Sequence, residues 1–324
     1  MATQTIASAL NQALHQEMAA DERVIIMGED VGRDGGVFRI TDKLIDVYGE
    51  ERVIDTPLAE AGILGTAIGL AMAGMRPVVE MQFDGFVYPA FDQLISHAAR
   101  MRNRSRGMLS CPLVLRFPYG GGVRALEHHS EAMEALYMHI PGIKVVTPAT
   151  PYDAKGLLIS AIRDPDPVVF MEPKRLYRSL KEDVPEESYT VELGKARVMV
   201  EGKDVTVVSW GSMIPTALKV QGALAAEGVS VEVIDLRSIT PLDREAVTQS
   251  VTKTGRCVIL QEGPRTGGVA AEISALINEN CLFSLQAPVE RVTGFDIIMP
   301  LLKGEDLYIP EERRLTAGIR KVLG

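Results

Sequence analysis

Short runs that are apolar at every position recur along this chain, separated by longer stretches of helical pattern; Val24-Ile-Ile-Met27 and Val168-Val-Phe-Met171 are two of them. A strand without a polar face has to be covered on both sides, and strands joined through helices run parallel. In the first half, residues 24–27, 53–54, 77–83, 112–117, 144–147 and 168–171 read as strands. Helices are expected over 59–73, 88–101, 130–139 and 154–162. A dense charge mixture over 173–203 reads as a linker. The alternation then resumes, with strands at 205–209, 231–235, 257–260 and 290–293 and helices at 215–227, 243–253 and 268–280. The expected fold class is α/β, with two doubly wound domains: residues 1–185 and 201–324, joined by a linker over 186–200.

The chain's 324 residues suit two domains of about 150 residues each. Its 34 basic and 43 acidic residues leave a net charge of −9, which argues against general nucleic-acid binding and against attraction to anionic membranes. Three scattered cysteines, Cys111, Cys257 and Cys281, form neither a disulfide framework nor a zinc site. With no basic, apolar leader visible at the start, the expected location is cytoplasmic. The apolar stretch over residues 62–75 falls short of the about 20 residues a spanning helix needs, and is expected to be a buried core helix. Its small residues suggest that something packs very close to it.

Several catalytic signatures are absent: the Gly-x-Ser-x-Gly elbow, the Walker A loop and His-Glu-x-x-His. Four places remain. Asp55-Thr-Pro-Leu-Ala-Glu60 joins a strand end to a helix, where α/β sheets bind ligands; Glu60 either complements the helix dipole or hydrogen-bonds a ligand nitrogen. In Gln82-Phe-Asp-Gly-Phe86, Phe86 offers a ring face and Gln82 a polar edge, or Phe86 is core and Asp84 a helix cap. Gly120-Gly-Gly122, followed by His128-His129-Ser130, combines a loop that lets backbone approach a ligand with two histidines suited to acid–base work, or Ser130 simply caps a helix. Gly28-Glu-Asp30 is either a site or a turn after a strand.

Taken in order, Gly28-Glu-Asp-Val31, Asp55 to Glu60, Phe91-Asp-Gln93, His129-Ser130, Asp153-Ala-Lys-Gly156, Glu172-Pro-Lys-Arg175, Val233-Ile-Asp-Leu-Arg237 and Lys253-Thr-Gly-Arg256 form a specific set. Over nearly its whole length the chain resembles the β subunit of the E1 component of 2-oxo acid dehydrogenase complexes. The resemblance implies a pyrimidine-binding domain, a transketolase C-terminal-like domain, and an α2β2 enzyme with thiamine diphosphate at each α–β interface.

By the same resemblance, Glu60 hydrogen-bonds N1′ of the aminopyrimidine and favours the imino tautomer that activates the thiazolium carbon for decarboxylation. Phe86 stacks on the pyrimidine, Leu58 and Gln82 line its pocket, and Glu29 lies near the cofactor. His129, which directly precedes the serine as in the family, assists reductive acylation of the lipoyl group of the E2 acyltransferase. A structural potassium ion would sit on backbone carbonyls of Leu113, Ala161, Ile162, Asp164 and Asp166. No Gly-Asp-Gly occurs in the chain, so Mg²⁺ and the diphosphate are expected on an α subunit, and the isolated chain is expected to be inactive. Glu131, where many relatives have Gln, and Asn103-Arg-Ser105, where many have Tyr-Arg-Ser, depart from the family pattern. Residues 170–177 and 294–296 lean towards branched-chain 2-oxo acids such as 2-oxoisovalerate. Pyruvate and acetoin dehydrogenase β subunits are the alternatives, and a non-catalytic scaffold partner of an α subunit is the alternative outside enzymes.

Overall fold

A computed structural model describes all 324 residues, and the chain divides into two units. The first comprises Met1–Tyr119 and Leu136–Leu193; the second comprises Gly120–Ala135 and Gly194–Gly324.

The strands of the first unit are β1 (Ala2–Gln4), β2 (Val24–Gly28), β3 (Val53–Asp55), β4 (Arg76–Glu80), β5 (Val114–Tyr119), β6 (Lys144–Val146), β7 (Val168–Pro173) and β8 (Glu182–Val184). Six of these run parallel in the order β6-β7-β5-β4-β2-β3. The chain steps outward from β2 to β3 and then crosses back to β4. The sheet therefore reverses direction between β2 and β4, and such a switch point opens a crevice at the carboxyl ends of the strands.

Its helices are α1 (Ile6–Ala20), α2 (Leu44–Tyr48), α3 (Glu60–Met72), α4 (Phe91–Ser96), α5 (Met101–Arg104), α6 (Glu134–Met138, which begins in the second unit) and α7 (Pro151–Arg163). Helix α1 begins at a Thr5–Ser8 capping box and packs Ile6, Leu10, Ala13 and Leu14 with Ala154, Leu157, Leu158 and Ile162 of α7 in one core. Pro151 opens α7 where its missing N–H costs nothing.

The second unit holds β9 (Arg197–Val200), β10 (Val205–Ser209), β11 (Val231–Asp235), β12 (Ser238–Thr240), β13 (Cys257–Leu260) and β14 (Glu290–Val292). Its sheet order is β14-β13-β10-β11-β9, with β9 the antiparallel edge strand. Helices α8 (Ile214–Ala226), α9 (Arg244–Thr254), α10 (Val269–Cys281), α11 (Glu305–Tyr308) and α12 (Glu312–Leu323) complete it. Leu315, Ile319 and Val322 of α12 join the same core as Val220 and Leu224 of α8.

Four sequence expectations change here. The helix expected over 88–101 is broken into a 3₁₀ turn, Asp84–Ala90, then α4, a second 3₁₀ turn and α5; Pro89 lies inside the first turn. The helix expected over 130–139 is reduced to α6, and Ser130 ends a 3₁₀ turn, Glu127–His129, instead of capping a helix. The segment expected to be a linker is tied to both units. Lys155 donates to the carbonyls of Pro185, Glu186 and Glu187 at 2.6, 3.2 and 2.9 Å, and Ser160 donates to Val191 at 2.6 Å, while residues 197–200 enter the second sheet as β9. Lastly, α3 is not a buried core helix. Ile63, Leu64, Ala67, Ile68 and Ala71 face inward, but Gly62, Thr66 and Gly69 are exposed, and a Cβ on Gly69 would meet no packed neighbour within 4 Å. No helix is long and apolar enough to cross a membrane.

Candidate active site

Three strand ends at the switch point carry the residues singled out from sequence. The end of β2 leads to Glu29, the end of β3 through the turn at residues 56–59 to Glu60, and the end of β4 to Gln82 and Phe86. Gly28 closes β2 because a Cβ there would meet the Glu80 carbonyl oxygen of the neighbouring strand at 2.5 Å. Asp55, at the end of β3, accepts hydrogen bonds from the backbone N–H groups of Gly32 and Arg33 at 2.6 and 3.1 Å. It thereby folds the loop after Glu29 back towards β3, and Gly28-Glu-Asp30 forms a turn with Asp30 at φ +57°.

Glu29 is 8% exposed. Burial first, and then the nearby charges of Glu60 and Asp30, push its carboxyl above the ordinary glutamate range. Glu60 stands in the first turn of α3 and is half-buried. Gln82 donates to Asp30 at 3.0 Å. Phe86 is half-buried and meets Phe83 edge-to-face at 6.0 Å. Asp84 is fully buried inside the 3₁₀ turn and does not cap it. Leu58 is 79% exposed on the turn before α3.

His129 belongs to the second unit. It closes the 3₁₀ turn Glu127–His129, its N–H donating to Leu126 at 2.9 Å, and it is half-buried beside an exposed His128. The loop around it is pinched shut where Gly120 N–H donates to Glu131 carbonyl at 2.8 Å. The three glycines suit this loop for a reason the sequence did not show. Gly120 and Gly122 have φ +77° and +93°, and Cβ atoms on Gly120 and Gly121 would collide with the carboxylates of Glu262 and Glu305. The backbone is approached by the protein's own acids.

Residues 2–179 match the family model of the transketolase pyrimidine-binding domain, and residues 194–315 that of the transketolase C-terminal domain. The pyruvate dehydrogenase E1 component subunit beta of Acholeplasma laidlawii is 53% identical over 322 residues, covering 99% of this chain and 98% of the relative. The protein of the same description from Bacillus subtilis strain 168 is 49% identical over 323 residues, covering 100% and 99%. The chain belongs to the E1 β-subunit family of 2-oxo acid dehydrogenases, of pyruvate dehydrogenase type. This is a thiamine diphosphate-dependent family. In fold the chain is also similar to a solved split-gene transketolase in an inactive β4 tetramer, with a TM-score of 0.82 at 23% identity, covering 99% of this chain and 98% of that one.

Within this E1 β-type chain, the switch point brings Glu29 and Glu60 together. Gln82 reaches only the Asp30 side of that loop, and His129 belongs to a separate unit. Sequence reasoning missed two groups of buried charge. In the first unit, the register of β4 and β5 sets Glu80 against Arg116. Arg116 is ion-paired with Glu80 and bidentate to Glu172 at 2.7 and 2.9 Å, and Tyr177 donates to Glu172. In the second unit, Glu134 accepts from Trp210 Nε1 at 2.9 Å and feels the charge of Glu262. The available signal was a charge following an apolar run within or just past a strand: Val-Val-Glu80, Val-Leu-Arg116, Phe-Met-Glu172, and Glu262 two residues past β13.

Four of the five carbonyls named for potassium have partners. Arg76 donates to those of Ile162 and Asp164 at 2.8 and 3.3 Å, Val168 N–H to Leu113 at 3.0 Å, and Asp164 N–H to Ala161 at 3.3 Å. Each oxygen keeps a second lone pair, but Arg76 brings a positive charge against two of them.

Proposed function

We propose that this chain is the β subunit of a thiamine diphosphate-dependent pyruvate dehydrogenase E1, active with an α subunit as an α2β2 enzyme. The paired carboxyls Glu29 and Glu60, at the switch point of a pyrimidine-binding domain, carry the reading. An aminopyrimidine asks for an acid at a ring nitrogen, a polar edge contact and an apolar or aromatic wall. Glu60, Gln82, Leu58 and Phe86 are residues of those kinds on adjacent strand ends, so the residues fit the group. When bound, thiamine diphosphate supplies a carbon nucleophile and takes up the electrons freed as the 2-oxo acid loses CO₂.

The chain's own part is narrower. Glu60 would hydrogen-bond the pyrimidine N1′, and Glu29, raised in pKa by burial and then by the nearby charges of Glu60 and Asp30, stands beside it. Phe86 and Leu58 exclude water from the ring. Mg²⁺ and the diphosphate fall to the α subunit. His129 supplies the proton during acylation of the lipoyl group on the E2 acyltransferase. Exposed apolar side chains suit a subunit made to be covered by partners: Leu58, Met108, Phe283, Ile298, Leu302 and Leu307.

The stretches that leaned towards branched-chain substrates have other tasks. Glu172 binds Arg116, and Asp296 binds the Thr266 N–H at 2.8 Å and its hydroxyl at 2.7 Å. The relatives' names favour pyruvate. The test is co-expression with an α subunit and 2-oxo acid-dependent reduction of an artificial acceptor, with thiamine diphosphate and Mg²⁺ present. Pyruvate is expected to surpass 2-oxoisovalerate and acetoin. Glu60→Gln is expected to lower kcat by about 10²-fold or more, and the β chain alone to be inactive. Activity indifferent to Glu60 would move the chain to a scaffold role, and a preference for 2-oxoisovalerate would restore the branched-chain reading. Replacing K⁺ by Na⁺ is expected to leave the melting temperature unchanged, since Arg76 already serves the carbonyls of Ile162 and Asp164.

A further inference from the structure

The loop that carries His129 is held from the opposite end of the chain. Glu262 accepts from Gly121 N–H at 2.5 Å and from the Ser212 hydroxyl. Glu305 accepts from Gly122 N–H and, at 2.8 Å, from Arg124 N–H. Both glutamates are 1% exposed. Three donors of the loop's first limb, those of Gly121, Gly122 and Arg124, are thus satisfied by two buried carboxylates, and Arg124 is kept in the left-handed region at φ +56°. Asp306 adds an exposed bond to the Arg124 guanidinium at 2.8 Å. The loop's other limb, with His129 two residues before its end, is closed by the Gly120–Glu131 bond. A charged acceptor shared by backbone donors is among the stronger fastenings available to a loop.

We propose that Glu262 and Glu305 are positioning residues for His129, a clasp that fixes the histidine loop for lipoyl acylation without touching the decarboxylation step. This rests on the reading of His129 given above. In the acylation step the two electrons left on the substrate carbon after loss of CO₂ reduce the lipoyl disulfide. The S–S bond breaks, one sulfur bonds to the substrate carbon, and the other takes a proton from His129; the thioester is complete when that carbon's bond to the cofactor breaks and its hydroxyl gives up a proton. A loosened loop therefore lowers acyl transfer, while an artificial acceptor, which needs no such proton, is reduced much as before. Glu305→Gln retains the shape of the side chain but replaces one acceptor oxygen with a donor that opposes a backbone N–H.

The experiment uses the assembled α–β enzyme and two readouts with pyruvate: reduction of an artificial acceptor, and acylation of a free lipoylated domain followed by mass spectrometry. Glu305→Gln is expected to lower kcat for lipoyl acylation at least tenfold more than acceptor reduction, because small misplacements of a reacting group are costly. Ser212→Ala, which removes a donor from Glu262, is expected to shift the same ratio about threefold. It decides the question should Glu305→Gln fail to assemble. His129→Ala is the comparator. A ratio that collapses in His129→Ala but is untouched in the clasp variants would overturn the clasp, as would a parallel fall of both readouts in those variants. A ratio untouched in His129→Ala would overturn the role of His129 and the clasp's purpose with it.

Discussion

Glu134 should make the second unit less stable as pH rises. Its side chain is 2% exposed, and burial is the main cause that raises its carboxyl to about 7; the Glu262 charge adds to this, and the hydrogen bond from Trp210 opposes it. The rise from the ordinary glutamate value of 4.5 to about 7 is worth about 3 kcal/mol, at about 1.36 kcal/mol for each pH unit. The sign follows from proton counts. Between those two values the folded state binds more protons than the unfolded state, so stability falls as pH rises. The contribution is fully present below the unfolded value, is lost as pH passes through about 7, and loses about 1 kcal/mol of its total between pH 6 and 8. Glu134→Gln keeps an oxygen for Trp210 and removes the titration. The wild type should therefore lose about 1 kcal/mol relative to Glu134→Gln between pH 6 and pH 8. Urea unfolding followed by fluorescence reads this directly, because Trp210 is the chain's single tryptophan and is bonded to Glu134. A stability difference that is constant across that range, or one moving in the wild type's favour as pH rises, would refute the reasoning.

The Arg116 cluster makes a second prediction: Arg116→Met leaves Glu80 and Glu172 buried without their cation and should cost about 3–5 kcal/mol in urea unfolding. A loss below about 1 kcal/mol would mean that the carboxyls simply take up protons. Cys111 should be inert. Burial first, and then the Asp166 charge, push its thiol up to about 12, so native protein at pH 8 should resist iodoacetamide and react only in denaturant; rapid modification of native protein, read by mass spectrometry, would contradict this. The isolated β chain should bind thiamine diphosphate weakly, since Leu58 is 79% exposed and Glu60 and Phe86 are half-buried. Calorimetric binding as tight as that of the α–β enzyme would show that the pocket is complete without a partner.

What could be read from sequence divides along a physical line. Strands such as Val24–Gly28 and Val168–Pro173 announce themselves because burial on both faces demands apolar residues in unbroken runs. The place of a strand-end crevice was legible for the same reason, since topology assigns it once β2, β3 and β4 are placed; the choice of Glu29, Glu60, Gln82 and Phe86 within it rested on the family resemblance. Helices α1 and α12 were missed although Ile6, Leu10, Ala13 and Leu14, and likewise Leu315, Ile319 and Val322, recur at helical spacing. The exposed face of α3 misled because a run of small apolar residues looks the same whether this chain or another covers it.

The buried charges were beyond reach for a stricter reason. Glu80 meets Arg116 only through strand register, and the clasp joins Gly121 to Glu262 across 141 residues and Gly122 to Glu305 across 183. No local pattern encodes such a pairing. Read alone, the triple glycine suggests an open cradle for a ligand. Read with its partners, it is the small surface that two carboxylates require, and the histidine loop depends on residues from the far end of the chain.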